Sequence, residues 1–271
     1  DYGPYLCNVT TEAVVVAFQV NSISLYPENS GLMIVTQGLT KKYGDLTAVD
    51  NLNISIARGE LFSLLGLNGA GKTTTIKMLS CLIRPTSGKA LIKQWDLTKD
   101  TQHIKQIINV SPQETAIALN LTVQENLKMI AGIYDLPKKS MQEKTHEMIE
   151  VFSLQEVRNK KAKLLSGGMQ RRLSIAMALI TEPEILFLDE PTLGLDVLAR
   201  RELWAIITRL KGKTTILLTT HYMEESEALS DRVAVMIKGK IIASGTVKEL
   251  LERTNTHKLE DAFILLNQEE A

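Results

Sequence analysis

Gly66-Leu67-Asn68-Gly69-Ala70-Gly71-Lys72-Thr73 is the segment of this 271-residue chain from which its architecture follows most directly. It fits the pattern G-x-x-x-x-G-K-[ST], in which glycines let successive backbone N–H groups turn toward phosphate oxygens. The run Glu60 to Leu65 predicts a strand before it, and a helix is expected from about Lys72 to Ile83, ended by Pro85 and Gly88. That helix would point the positive end of its dipole at the phosphates. A strand, a glycine-rich loop and a helix in this order indicate a phosphate-binding loop and disfavour a plain connection.

The residues of this loop have separate expected roles. Lys72 is expected to bridge the β- and γ-phosphates of a nucleotide, and the hydroxyl group of Thr73 is expected to ligate Mg²⁺. Backbone N–H groups along the loop and at the start of the helix would contact the remaining phosphate oxygens. The expected nucleotide contacts of this segment are Gly66, Asn68, Gly69, Ala70, Gly71, Lys72, Thr73 and Thr74.

A pair of acidic residues, Asp189-Glu190, ends the apolar run Glu184 to Asp189, which predicts a buried strand. We expect this strand to lie beside the strand of the phosphate loop, so that Asp189 can hold Mg²⁺, usually through water. Glu190 would leave the sheet facing the γ-phosphate, where a carboxylate can polarise the attacking water. Two acids after a strand are more often solvated loop residues, but a phosphate loop on the same chain favours the catalytic interpretation.

Strands and helices alternate along the chain. Asn51 to Ile56 alternates polar and apolar residues as a half-buried strand does, and Thr214 to Thr219 predicts another apolar strand. Residues 114–165 instead carry helical periodicity and many charges, which predicts an inserted helical subdomain. Alternation of strands and helices favours a parallel sheet with covered faces. We therefore predict an α/β fold: a P-loop NTPase core with a mainly parallel sheet and an inserted helical subdomain.

The composition disfavours several broad classes of protein. Lys plus Arg and Asp plus Glu both number 31, so a formal net charge of zero gives no overall attraction to nucleic acid. Cys7 and Cys81 are the only cysteines, too few and too far apart for a disulfide framework or a metal cluster, which fits a reducing compartment. No run approaches the roughly 20 apolar residues of a membrane helix, and Ala13 to Phe18 lacks the preceding basic residues of a secretory signal. If the protein powers transport, we expect another polypeptide to supply the membrane pathway.

The segment Leu165-Ser166-Gly167-Gly168-Met169-Gln170 lies between the phosphate loop and the acid pair. Ser166 is expected to cap a helix that runs to about Ile180, and the first N–H groups of that helix would form an anion site. With these three motifs in this order, the chain resembles the ATP-binding cassette (ABC) family over about Met33 to Leu251. The resemblance implies an antiparallel β subdomain in addition to the parallel sheet and the inserted helical subdomain. The resemblance implies an ATPase that uses ATP and Mg²⁺ as a dimer, in which residues 166–168 of one subunit close over the ATP held by the other.

The resemblance implies further roles outside these motifs. Tyr43 is similar to the aromatic residue that stacks on adenine, although a tyrosine at the end of a strand is a competing interpretation. Gln113, where the core meets the insertion, looks like the residue that senses Mg²⁺ and the attacking water. Leu195-Asp196 resembles the loop that contacts the partner subunit, and His221 resembles the switch histidine that contacts the γ-phosphate. The expected catalytic residues are Lys72, Gln113, Glu190 and His221, and the expected metal ligands are Thr73, Gln113 and Asp189.

Two departures from the commonest family pattern bear on the subfamily. Met169 stands before Gln170, where Gln usually follows the second glycine, and the partner loop reads Leu193-Gly194-Leu195-Asp196 instead of Ser-Ala-Leu-Asp. Neither departure removes a group assigned to phosphate chemistry. Together with Thr220-His221-Tyr222-Met223-Glu224-Glu225, they resemble the branch that contains drug, sodium and polysaccharide exporters, without identifying a cargo.

The resemblance divides the chain into three parts. Residues 1–32 are expected to be an irregular arm, either native or a leader, residues 33–251 to be the ABC ATPase domain, and residues 252–271 to be a helical extension. One helical face of the extension favours packing on its own domain over a partner surface. That face consists of Leu259, Ala262, Phe263 and Leu266.

The sequence therefore favours the ATP-binding and hydrolysing subunit of an exporter. We expect it to dimerise head-to-tail around two MgATP, with a second copy of itself or a homologous ATPase subunit. It would drive separate transmembrane permease subunits from the cytoplasmic face of the membrane, as a peripheral protein. The alternatives are a soluble ABC ATPase acting on nucleic acid or the ribosome, and a regulatory module without turnover. The short insertion and the single cassette disfavour the former, and Glu190 and His221 disfavour the latter.

Overall fold

The computed structural model describes residues 31–269, in which eleven strands and nine α-helices form two sheets and the elements that connect them. The predicted arm at residues 1–32, including Cys7, lies outside the described residues except for its last two positions. Leu32 begins the first strand. Within residues 31–269, no helix has both the length and the apolar character needed to span a bilayer.

The larger sheet is mainly parallel, as predicted. In spatial order its strands are β11 (Lys240–Gly245), β10 (Arg232–Ile237), β4 (Leu61–Leu65), β9 (Thr215–Thr220), β8 (Ile185–Asp189) and β7 (Ile108–Ser111). Among these six, only β11 runs antiparallel to its neighbour. Every residue of β4, β8 and β9 is buried, because both faces of the central strands are covered. These strands therefore read as continuous apolar runs instead of alternating ones.

The smaller sheet is antiparallel, as predicted. Its strands are β1 (Leu32–Tyr43), β2 (Leu46–Leu52), β3 (Ser55–Ala57), β5 (Ser87–Ile92) and β6 (Trp95–Asp96). The single strand predicted from Asn51 to Ile56 was wrong, because the run is divided between β2 and β3. The Thr36 hydroxyl interrupts it by donating to the Leu52 carbonyl at 2.9 Å and accepting from the Ile54 N–H at 3.0 Å. Leu52, Ile54 and Ile56 are nevertheless buried, as the alternation requires.

The connecting helices are α1 (Lys72–Leu79), α2 (Thr101–Ile107), α3 (Val123–Ile133), α4 (Lys138–Val151), α5 (Gly167–Leu179), α6 (Val197–Thr208), α7 (Met223–Leu229), α8 (Val247–Thr254) and α9 (Leu259–Glu269). The first helix ends before the predicted Ile83, because the chain turns at Cys81, which takes a left-handed φ of 59°. Residues 114–165 contain α3 and α4, whose buried apolar side chains share one core with α5 and β8. The inserted segment is thus helical and attached to the main sheet.

The position of α1 is set by apolar contacts with both sheets. Ile76 and Met78 on α1 belong to one buried cluster with Phe62 on β4 and with Ile34 and Leu39 on β1. The loop that precedes α1 is therefore held where the two sheets approach each other.

The C-terminal helix packs on its own domain, as predicted. Its apolar face joins a buried cluster with Leu65 on β4 and with Val233 and Val235 on β10. The buried residues of that face are Leu259, Ala262, Phe263 and Leu266.

Candidate nucleotide-binding site

The glycine-rich loop connects β4 to α1 and is crossed closely by other backbone segments. A Cβ atom at Gly66 would lie 2.4 Å from the Met236 carbonyl oxygen, and one at Gly71 would lie 2.4 Å from the Ala48 carbonyl oxygen. Gly71 also takes a φ of 106°, which L side chains rarely adopt. Side chains are thus excluded at both ends of the loop for reasons of space, and the loop keeps the compact shape that exposes its N–H groups.

Lys72, the first residue of α1, folds its side chain back over this loop. Its ammonium group donates to the carbonyl oxygens of Gly66 at 2.6 Å and Leu67 at 3.1 Å, and it pairs with Glu190 Oε1 at 3.1 Å. The side chains of Lys72 and Glu190 are each only 5% exposed. A buried charge of this kind needs a partner of opposite sign, so the two groups depend on each other.

Asp189 lies next to Thr73, although β8 is not the neighbour of the phosphate-loop strand. The prediction that these two strands are adjacent was wrong: β9 lies between β4 and β8. The carboxylate is reached instead from α1, which contacts β8 and places the Thr73 hydroxyl 3.2 Å from Asp189 Oδ1. Thr219 on β9 donates to the same oxygen at 2.5 Å. One hydroxyl from α1 and one carboxylate from β8 therefore face the same point.

Glu190 turns the chain away from the end of β8. It takes a left-handed φ of 49°, uncommon for a residue with a side chain, and its N–H group donates to the Thr219 carbonyl oxygen at 3.1 Å. Its Oε2 atom lies 2.8 Å from His221 Nδ1 and its Oε1 atom lies 3.1 Å from the Lys72 ammonium. The backbone turn thus aims one carboxylate at a cation and an imidazole simultaneously.

Arg171 on α5 holds the ends of β7 and β8 together, and sequence reasoning missed it. Burial lowers the pKa of its guanidinium to about 10, and the charges of Asp189, Glu225 and Glu190 oppose that fall, so the group is still a cation at neutral pH. An Arg next to Gln170 was the sole sequence signal, and it did not separate Arg171 from the neighbouring Arg172. The carbonyl oxygens that the guanidinium contacts belong to Pro112, Gln113, Asp189, Glu190 and Pro191.

A cleft of about 630 Å³ opens over these groups. Tyr43, 47% exposed, lies in its wall on the smaller sheet, and Gln113 and Glu190 lie in its wall on the larger sheet. Asp189 and His221 do not line it but contact residues that do. The predicted nucleotide contacts that line the cleft are Tyr43, Asn68, Gly69, Ala70, Gly71, Lys72, Thr73 and Thr74. The lining residues that the sequence did not reveal are Leu46, Thr47, Ala48, Lys238 and Gly239.

Comparison with known proteins assigns this cleft to a family. Residues 49–193, which include the phosphate loop, the Ser-Gly-Gly segment and the acid pair, match the family described as ABC transporter. The chain belongs to the ABC transporter family. Its membership confirms the resemblance and the α/β fold predicted from the sequence.

Individual ABC proteins resemble the chain to different extents. It is 41% identical over 240 residues to the "Probable multidrug ABC transporter ATP-binding protein YbhF" of Escherichia coli strain K12. The matched residues are 86% of this chain and 41% of YbhF. The chain thus spans about two fifths of the length of that relative. It is 40% identical over 228 residues to the "Daunorubicin resistance ATP-binding protein DrrA3" of Streptomyces coeruleorubidus, covering 84% and 72% of the two chains. The ABC cassette MJ0796, solved as a dimer in a post-hydrolysis state bound to ADP and Pi, superposes with a TM-score of 0.71 and 26% identity over 79% of this chain and 99% of its own.

The Ser-Gly-Gly segment of this ABC domain begins α5, as predicted, but it does not reach the cleft of its own chain. The Ser166 hydroxyl accepts from the Met169 N–H at 3.3 Å and caps the helix. Ser166 and Gly167 are exposed, and none of residues 166–168 lines the cleft. This chain therefore presents the N-terminus of α5 on its surface.

A buried carboxyl group, Glu225 on α7, lies behind the ABC site. It is 0% exposed, and its Oε1 atom accepts from the Thr192 hydroxyl at 2.8 Å and the Trp204 indole N–H at 3.0 Å. Burial raises the pKa of Glu225, the nearby Glu190 carboxylate adds to the rise, and the hydrogen bonds oppose part of it. The sequence indicated Glu225 only as part of a subfamily pattern.

We expect Glu225→Gln to stabilise this ABC domain at neutral pH. The native carboxyl group holds its proton more tightly than the unfolded one, so its stabilising contribution is complete below the ordinary Glu pKa of 4.5 and is lost as the pH rises. Glutamine cannot ionise, so the variant does not lose this stability at neutral pH. The difference in free energy of unfolding between the variant and the native chain should therefore shrink as the pH falls toward the ordinary pKa. Urea unfolding at neutral and acidic pH measures the effect, with the exposed neighbour Glu224→Gln as the control. A gain that is equal at both pH values would contradict this cause.

Proposed function

We propose that this chain is the ATP-binding and hydrolysing subunit of an ABC exporter, working as a head-to-tail dimer around two MgATP. The observation that carries the proposal is the position of the Glu190 carboxylate, within contact distance of both the phosphate-loop ammonium of Lys72 and the imidazole of His221. A base, a cation and an imidazole at one end of a glycine-rich loop can activate water and stabilise the charge that develops during phosphoryl transfer.

The residues around Asp189 fit Mg²⁺. Mg²⁺ prefers oxygen ligands, keeps several waters and takes one or two protein ligands together with substrate phosphates. The Thr73 hydroxyl and the Asp189 carboxylate supply such oxygens 3.2 Å apart, and Gln113 lies in the same cleft wall. When bound, Mg²⁺ would neutralise developing charge on the β- and γ-phosphate oxygens.

The proposed reaction assigns a step to each residue. Loop N–H groups and Lys72 would hold the triphosphate, and Tyr43, which lines the cleft, would stack on adenine. A water oxygen bonds to the γ-phosphorus as the bond to the ADP oxygen breaks, and Glu190 takes the proton from that water. His221 would orient Glu190 through its 2.8 Å contact. Its contact with the γ-phosphate is what the family resemblance implies. Gln113 would contact Mg²⁺ and the attacking water at the point where the core meets the helical insertion.

Dimerisation is supported by the exposed N-terminus of α5. ATP presents anionic oxygens on two sides, and the loop of one chain covers one of them. A second copy, or a homologous ATPase subunit, can cover the other with residues 166–168, because a helix N-terminus stabilises negative charge. The dimeric MJ0796 cassette with ADP and Pi supports this arrangement. Leu195 is partly buried and Asp196, which caps α6, is exposed, and this pair would contact the partner subunit.

Export is supported by the names of two relatives. YbhF is named a probable multidrug ABC transporter ATP-binding protein, and DrrA3 is named a daunorubicin resistance ATP-binding protein. Separate transmembrane permease subunits are the partners that we propose, with this chain bound to them at the cytoplasmic face of the membrane. The alternative of action on nucleic acid is disfavoured by the insertion, where the longest helix, α4, has 14 residues.

Ser166→Asp tests the dimer. Aspartate caps a helix about as well as serine, so the fold should be unaffected, but the added charge would face the γ-phosphate of the partner's ATP. We expect MgATP binding by the isolated chain to be little changed and turnover to fall by about 100-fold. Calorimetry and phosphate release measure the two quantities.

The matched control is Ser166→Asn, which keeps the cap without the charge and should retain most of the turnover. Equal turnover in Ser166→Asp and the native chain would exclude this helix N-terminus from the composite site. A native chain that releases no phosphate from MgATP at any protein concentration would reject the proposed function itself.

A further inference from the structure

One oxygen of Glu225 joins three segments of the chain. Its Oε1 atom accepts from the Thr192 hydroxyl at 2.8 Å and from the Trp204 indole N–H at 3.0 Å, while Glu225 itself belongs to α7. Thr192 is 1% exposed and Glu225 is 0% exposed, so water does not compete for these hydrogen bonds. Buried hydrogen bonds of this kind hold their segments in one arrangement.

The three segments connect the loop that would contact the partner subunit to the segment that carries His221. Thr192 lies in the loop of residues 191–196, which directly follows Glu190. The last residue of that loop, Asp196, caps α6 by accepting from the Ala199 N–H at 2.9 Å. Trp204 lies further along the same helix. The segment before α7 carries His221 and Tyr222, whose rings lie 4.1 Å apart.

A second contact ties the same two segments at their exposed side. The Arg200 guanidinium on α6 lies over the Tyr222 ring, 5.0 Å from its centroid, and it pairs with Glu224 at 3.7 Å. Two sets of contacts thus join the partner-facing loop and α6 to the segment that carries His221. Glu225 makes the buried set, and Arg200 makes the set at the surface.

We propose that Glu225 is a positioning residue that couples the partner-facing loop, residues 191–196, to His221. This inference rests on the proposed function, because the coupling matters only if the loop meets a second subunit and His221 acts on ATP. Glu225 does not line the nucleotide cleft, so it acts through Thr192 and Trp204 and not by contact with substrate. We call the hydrogen bonds from Thr192 and Trp204 to Glu225 the Glu225 clamp. When the partner subunit shifts the loop, the clamp would move α7 and the imidazole of His221 with it.

The clamp needs an acceptor and not a charge. Both donors, a hydroxyl and an indole N–H, are neutral, so the amide oxygen of glutamine can replace the carboxylate oxygen. The described hydrogen bonds of the nearby Arg171 guanidinium all go to backbone carbonyl oxygens. Glu225→Gln should therefore preserve the coupling, and Glu225→Ala should remove it.

The test compares Glu225→Ala and Glu225→Gln with the native chain. Calorimetry measures MgATP affinity, and phosphate release measures kcat. ATP-dependent dimer formation is measured with Glu190→Gln added to each chain. We expect Glu225→Ala to lower kcat by about 10- to 100-fold through misplacement of His221, with unchanged MgATP affinity and weaker dimer formation. Glu225→Gln should keep kcat within about threefold of the native value. A native kcat in Glu225→Ala, an equal loss in both variants, or a parallel loss of MgATP affinity would overturn the coupling.

Thr192→Val guards against a variant that fails to fold. It removes one donor and keeps the side-chain shape, and we expect a smaller fall in kcat. Adding Glu225→Ala to it should lower kcat by less than the product of the separate effects, because both changes break the same contact. Independent, multiplicative effects would contradict the clamp. If instead the native chain shows no turnover, the proposed function fails and the clamp is not what failed.

Discussion

Glu190→Gln is expected to lower the rate of MgATP hydrolysis by about 10²- to 10⁴-fold, the range that a general base contributes. The carboxylate is placed at the end of β8 by a left-handed backbone turn and is held between Lys72 and His221, where an amide cannot accept the proton of the attacking water. Phosphate release under saturating MgATP measures the change.

The same variant should bind MgATP at least as well as the native chain. Glutamine has nearly the volume of glutamate, so the loop and α1 keep their positions. It removes a negative charge beside the phosphates and releases the Lys72 ammonium from a buried ion pair at 3.1 Å. Because the dimer is proposed to open after hydrolysis, an ATP-bound dimer should accumulate, and size-exclusion chromatography with MgATP would detect it.

Glu182→Gln is the matched control, since Glu182 lies on an exposed turn before the same strand and pairs with Lys144 at 2.7 Å. It should hydrolyse MgATP at the native rate. Turnover within a few-fold of native in Glu190→Gln would remove Glu190 as the base, and loss of MgATP binding in that variant would point to a structural role for its charge.

The parts of the site that could be predicted from sequence are those fixed by short-range chemistry. A strand, glycines that no side chain could replace at positions 66 and 71, and a lysine at the start of a helix occupy consecutive positions. Ser166 caps α5 for the same local reason. The apolar face of α9 was also predictable, because helical periodicity alone defines it.

The order of the strands could not be predicted in the same way. β8 and β9 are both short, fully buried apolar runs, so neither pattern states which one pairs with β4. The prediction that Asp189 ends the neighbouring strand was wrong, yet Asp189 and Thr73 meet because α1 reaches β8. Asp189 and Thr73 are therefore brought together by the contact between α1 and β8, and not by adjacent strands.

The residues that sequence reasoning missed are defined by contacts between distant parts of the chain. Gly239 lines the cleft because its carbonyl oxygen accepts from the Asp50 N–H at 2.9 Å, which brings the turn after β10 beside β2. Arg171 and Glu225 are charged residues that read as surface positions in a helix until their buried partners are known. Periodicity gives no signal for such pairings.

Lys72→Ala is expected to weaken MgATP binding by about 2 to 5 kcal/mol, the cost of truncating one member of a buried, hydrogen-bonded charge pair. At about 1.4 kcal/mol for each tenfold change, the dissociation constant would rise roughly 30- to 5,000-fold. The ammonium is folded back over the loop, where its point charge can meet two phosphates at once. Calorimetry with MgATP measures the loss.

Two further variants separate lost binding from lost folding. Lys77→Ala removes the same charge from the exposed side of α1 and should bind MgATP normally. Lys72→Ala alone leaves Glu190 buried without its cation, which should also lower the free energy of unfolding, and adding Glu190→Gln should restore much of that stability. If the double variant regained MgATP affinity along with its stability, Lys72 would be a structural partner of Glu190 and not a phosphate ligand. Continued weak binding in a stable double variant is the result that the phosphate-loop interpretation requires.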